Sequence, residues 1–140
     1  MRALGLDVGS KTIGLALMDE AGIAAHPLTV LARVGNSGDA AAIVAKVAEH
    51  GVTDVVIGMP YDLSGRVGHR ARQVQTFMKV LAAALGSIPV HEQDERFTTA
   101  EAQRLMISAD VSRARRKAVI DQQAAALILQ TWLDARRNAK

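Results

Sequence analysis

The segment LGLDVGSKTIGLAL, Leu4 to Leu17, constrains the fold most. Apolar residues flank a single carboxylate, Asp7, and a Gly-Ser-Lys turn separates two strand-like runs, 3–9 and 12–18. Such runs read as adjacent strands of a well-covered sheet. An ionised carboxylate in that setting must face water, gain a partner or bind a metal, because burying it alone is very costly. At this point Asp7 has three structural alternatives: an edge-strand position, a pair with Lys11, or a cap on local amides.

The rest of the chain extends the pattern. DEAG (Asp19–Gly22) is a turn, and 23–31 reads as a third strand, giving an antiparallel meander. Asp39 is placed to cap a helix over 40–50, and Gly51 to stop it. DVVIGMP (Asp54–Pro60) is a short apolar strand suited to a parallel sheet. A loop, Tyr61–Gly68, leads to a helix over about 68–85, and Ile88–Glu95 is the next strand. Thr98-Thr99-Ala100-Glu101 has capping-box spacing for another helix, and the last helix covers about 115–137. The order implies one α/β domain over 1–140, with an antiparallel meander of three strands joined to two parallel ones.

Composition excludes several classes. The 140 residues contain no cysteine, which rules out disulfides and thiolate metal sites and is compatible with a cytoplasmic location. No signal peptide or membrane-spanning run is expected, since Asp7 and Lys11 interrupt the first apolar stretch. The net charge is +3, and basic residues cluster in RVGHRAR (Arg66–Arg72) and SRARRK (Ser112–Lys117). These are ordinary solvated surface or a hold on an anionic partner. Aromatic residues are only 3%, so base stacking is a poor candidate for the main contact.

Two further acids occur in settings like that of Asp7. Asp94 and Glu95 end an apolar strand, where ligands bind in open α/β sheets. Neighbours on a strand point to opposite faces, so only one of the two is expected to meet Asp7, and alternation alone leaves open which. Asp121 shares a helical face with Ala124, Ala125, Ile128 and Trp132, one turn before an apolar stripe. It borders the core, answers Lys117, or joins the other acids. Three converging carboxylates repel one another unless protonated or bridged by a hard divalent cation. Two such ions about 4 Å apart clamp a phosphodiester between attacking water and leaving oxygen.

GLDVGSKTIGLAL, VVIGMPYDLSGRVGHRA, VHEQDERFTTAEA and KAVIDQQAAALILQ together resemble the YqgF/RuvX family of RNase H-like nucleases, over about residues 3–134. The resemblance implies a five-stranded mixed sheet with helices on both faces. It also implies metal-dependent phosphodiester hydrolysis in processing the 5′ end of pre-16S ribosomal RNA, with branched DNA as the rival substrate. Asp7, Glu95 and Asp121 would be the catalytic and Mg²⁺- or Mn²⁺-binding residues, holding two ions with substrate bound. Lys11, Arg66, Arg70, Arg96, Arg115, Arg116 and Lys117 would contact substrate phosphates. His69 fits a phosphate contact better than a metal ligand, and Trp132 fits the core. Ala124 stands where a fourth acid often sits in such sites. The partner would be structured RNA; a homodimer is left open.

Two other functions suit parts of the chain. GLDVGSKTIGLA also resembles the phosphate loop of actin-like ATPases and sugar kinases, but those hold ATP between two such domains. A non-catalytic RNA- or ribosome-binding module would keep the acids as a structural cluster. Ile107–Lys117 is the expected connection that orders on binding.

Overall fold

The computed structural model describes residues 1–96 and 107–138, with side chains for all of these except 117–122. Five strands form one sheet: β1 (Ala3–Val8), β2 (Thr12–Met18), β3 (Ala25–Ala32), β4 (Asp54–Met59) and β5 (Val90–Asp94), in the order β3-β2-β1-β4-β5. The β1–β2 and β2–β3 pairs are antiparallel, and the β1–β4 and β4–β5 pairs parallel. This is the expected mixed sheet. Three helices are described, α1 (Asn36–His50), α2 (His69–Leu85) and α3 (Arg113–Asn138). The Thr98 capping box lies outside the described residues.

Strand alternation sorts the core into two layers. Leu4, Leu6, Val8, Ile13, Leu15, Val55, Ile57 and Met59 face α1 and α2, where Ile43, Phe77 and Leu81 are buried. Ala3, Ala16, Met18 and Val56 face α3, which buries Ala125, Ile128, Leu129, Trp132 and Leu133. The α3 side uses small residues, so this helix lies close to the sheet. A methyl group at Gly5 would sit 2.7 Å from Leu129 Cβ and 2.9 Å from the Ala125 carbonyl. Neither atom can yield without moving the helix, so Gly5→Ala should cost about 1–3 kcal/mol, read as a lower denaturant midpoint at unchanged slope.

Asp39 does not cap α1. Gly35 is the N-cap, with no side-chain hydrogen bond, and α1 begins earlier than expected. Asp39 instead folds back, buried, to accept from Arg33 Nε and the Val34 N–H, each at 2.9 Å. Arg33 is itself stretched between Asp39, Asn36 Oδ1 at 2.8 Å and the Gly9 carbonyl at 3.0 Å. The pair therefore ties the β1–β2 turn to the start of α1. Burial works to raise the Asp39 pKa, but the Val34 N–H and the Arg33 guanidinium outweigh it and hold the carboxyl below its ordinary range. A depressed folded-state pKa means stability that is present above the unfolded value and lost as pH falls. Asp39→Ala should thus cost about 3 kcal/mol near neutral pH. That difference should narrow as the pH falls through 3.8, as denaturant curves at both pH values would show.

Gly51 ends α1 in the left-handed conformation, φ 64°, as expected. The connection before α3 is shorter than the expected Ile107–Lys117 loop. Residues 107–108 are helical, and α3 is already formed at Arg113. Ser112 Oγ accepts from the Arg115 N–H at 3.3 Å, which caps that start.

Candidate active site

Asp7 lies on the α3 side of β1, a central strand, which removes the edge-strand alternative. Its cross-strand partner is Gly14. A methyl group there would stand 3.9 Å from Asp7 Cβ and 3.7 Å from Ala125 Cβ, in ordinary contact. With glycine at this position, a groove of about 220 Å³ opens beside Asp7, lined also by Thr12, Gly14, Thr29, Ala124 and Ala125.

Glu95 follows directly on β5 and has helical conformation. Its side chain crosses the end of β4 at Gly58, where a methyl group would be 2.9 Å from Glu95 Cγ and would collide with Ile128. Gly58 thus creates the space through which Glu95 reaches Asp7. The two carboxyls come within hydrogen-bonding reach, a contact that is favourable only when one of them carries a proton. Burial, then the Asp7 charge and that hydrogen bond, push Glu95 up to about 7; Arg70 opposes the shift and Asp94 adds to it.

Asp94 is engaged elsewhere. It accepts from Arg96 Nη2 at 2.6 Å, from Arg96 Nε at 3.0 Å and from the Arg96 N–H at 2.9 Å. These bonds to Arg96, against some desolvation, keep Asp94 below the ordinary carboxylate range. The adjacent acids therefore divide: Glu95 faces Asp7, and Asp94 fixes Arg96.

The described side chains bring Asp7, Glu95 and Arg70 together, with Arg70 Nη2 also donating to the Val8 carbonyl at 3.5 Å. Lys11 is exposed on the β1–β2 turn, and Arg66 is exposed on the loop after β4. Arg115 is exposed and Arg116 half-buried in the first turn of α3, where Arg116 Nη1 donates to the Val111 carbonyl at 2.8 Å. The Lys117 and Asp121 side chains lie outside the described residues. The Asp121 backbone belongs to α3, one turn before Ala125, which borders the Asp7 groove. Among the described residues, no group of three or more His, Cys, Asp or Glu side chains gathers.

Sequence reasoning missed Gly58 and the Arg33–Asp39 brace. A glycine inside the apolar run VVIGM was the available signal, since such a glycine often marks close approach by another group. Nothing local announced that Arg33 would reach back to Gly9.

The model of the RuvX family, described as a Holliday junction resolvase, matches residues 1–135. A Myxococcus xanthus protein named "Putative pre-16S rRNA nuclease" is 47% identical over 137 residues, covering 98% of this chain and 90% of its own. A Symbiobacterium thermophilum protein of the same name is 48% identical over 136 residues, covering 97% and 94%. Among solved structures, T. thermophilus RuvC in complex with a Holliday junction substrate superposes with a TM-score of 0.60. At 17% identity, over 98% of this chain and 96% of that one, the likeness is one of fold. The fold is thus RNase H-like, and the chain belongs to the RuvX family.

Proposed function

We propose that this RuvX-family nuclease is divalent-metal-dependent and acts on structured RNA, in processing the 5′ end of pre-16S rRNA. The observation that carries the proposal is the Asp7–Glu95 pair, two carboxyls brought into contact at the carboxyl end of the sheet, where burial and the Asp7 charge disfavour ionisation of Glu95. Hard oxygen donors that already need a positive charge between them fit Mg²⁺ or Mn²⁺. Asp7 and Glu95 would hold the metal, with Asp121 from α3 as the third acid; Ala124 adds no further carboxylate. When bound, the metal would lower the pKa of an attacking water and offset charge on the leaving oxygen.

The chain's own residues position the substrate. Glu95, held toward its neutral form beside Asp7, would have to lose its proton for the pair to bind the metal. Arg70, beside Glu95, and Lys11, on the turn after Asp7, would hold the phosphates flanking the cut. Arg66, Arg115 and Arg116, exposed or half-exposed, would extend this positive surface, with Lys117 proposed as a further phosphate contact, and Arg96, fixed by Asp94, stands between the site and the loop after β4. Names carried by the relatives favour a ribosomal RNA precursor, and the proposed location is therefore the cytoplasm.

The test is cleavage of a 5′-extended 16S precursor beside a four-way DNA junction, with Mg²⁺, with Mn²⁺ and in excess chelator. Metal-dependent cleavage of the RNA at its 5′ extension supports the proposal. Preference for the DNA junction transfers the activity to branched DNA, and cleavage that survives the chelator removes the metal mechanism.

A further inference from the structure

We propose that Leu63 is an unstacking wedge that directs cleavage to nucleotides beside a paired–unpaired junction; this rests on the nuclease reading above. Leu63 is 95% exposed, more than any other large apolar residue described. A single apolar side chain in water is ordinary. The unusual feature is the loop that presents it.

That loop follows β4 and is held at every step. The Asp62 N–H donates to the Arg66 carbonyl at 3.1 Å, and the Gly65 N–H to the Asp62 carbonyl at 2.9 Å. Asp62 Oδ1 accepts from the Ser64 N–H at 3.1 Å, Ser64 Oγ at 2.6 Å and the Arg66 N–H at 2.9 Å. Gly65 turns the chain at φ 86°. Arg96 Nη1 reaches the Leu63 carbonyl at 3.5 Å, and Arg96 is clamped by Asp94, the neighbour of Glu95. The leucine is thus carried on a braced loop, anchored one residue from a candidate metal acid, with its side chain directed into solvent.

Exposed cations follow it along the chain, Arg66 on the same loop and Arg70 in the first turn of the next helix, available to phosphates in the proposed reading. The described aromatic residues offer no stacking platform, since Phe77 and Trp132 are buried and Tyr61 donates to Glu92 at 3.1 Å. A rigidly held aliphatic tip on a loop that also carries an exposed arginine suits a wedge between base steps better than a stacking surface. Unstacking costs least where a base is already unpaired, at a helix end or branch. The fixed loop therefore selects structured RNA with a junction near the scissile bond over continuous duplex.

The experiment compares the wild type with Leu63→Ala and Leu63→Met on an RNA hairpin with a single-stranded flank and on an uninterrupted RNA duplex. A 2-aminopurine beside the hairpin junction reports unstacking, read under chelation so that binding is seen without cleavage. The wild type should raise the fluorescence and prefer the junction. Leu63→Ala should lose the rise and cut the junction about tenfold more slowly, with an unchanged melting temperature and salt slope. Leu63→Met should retain both properties. A Leu63→Ala protein that keeps both the fluorescence rise and the junction preference overturns the wedge. If the wild type cleaves nothing, the nuclease reading fails by itself; the fluorescence comparison then decides the wedge alone, and a rise unchanged by Leu63→Ala overturns it.

Discussion

Asp7→Asn should slow metal-dependent cleavage by about a thousandfold or more, equivalent to roughly 4 kcal/mol of lost transition-state stabilisation. The metal-free protein should remain at least as stable as the wild type. Both outcomes follow from the same geometry. Asp7 is one of two described carboxyls that meet at the proposed metal position, so its amide weakens the metal's hold. In the metal-free chain, the Asp7 charge disfavours ionisation of Glu95. Removing that charge relieves the pair, so no folding penalty should accompany the lost activity. Single-turnover cleavage and thermal unfolding, measured on the same preparation, check the two halves. A large fall in unfolding temperature would make Asp7 a structural residue. Near-normal cleavage would remove it from the active centre.

The second large effect concerns pH and metal together. Glu95 is raised in the folded protein from 4.5 to about 7. Between those values the unfolded chain releases a proton that the folded chain keeps. Stability of the metal-free protein therefore falls as pH rises through this window. A divalent ion bound as proposed would replace the proton, so metal binding should release it and strengthen with pH. Mn²⁺ should raise the unfolding temperature markedly at about pH 8 and little at about pH 5. Asp7→Asn should flatten this difference. Thermal melts at fixed metal concentration across the range test it; equal stabilisation at both ends would separate Glu95 from the metal.

The sheet was legible because its information is local. β2 runs from Thr12 to Met18 as read, and β1, β4 and α2 fall within a residue or so of their expected limits. The apolar face of α3 was equally plain, since Ala125, Ile128 and Trp132 recur at helical spacing and are buried together. Alternation at the end of β5 implied that Asp94 and Glu95 would part, but which of them turns to Asp7 was not legible from it, and Glu95 lies just past the strand. What the sequence hid depends on approach between distant segments. Gly58 matters because Glu95 and Ile128 converge over it from different elements. Asp39 looked like a cap because Asp before an alanine-rich helix commonly is one. Arg33, six residues earlier, offered a charged partner, and the pair with its Val34 contact displaced the cap. Leu63 carried no signal, because exposure of one leucine cannot be read from its neighbours.

The proposed site takes its third carboxylate, Asp121, from α3. A crystal soaked in Mn²⁺ and measured at a wavelength where manganese scatters anomalously addresses it directly. The account predicts a peak bounded by Asp7, Glu95 and Asp121 oxygens at about 2.0–2.3 Å, near the range of hard divalent ions. An occupied position elsewhere, with the Asp121 carboxylate turned into bulk solvent, would contradict it.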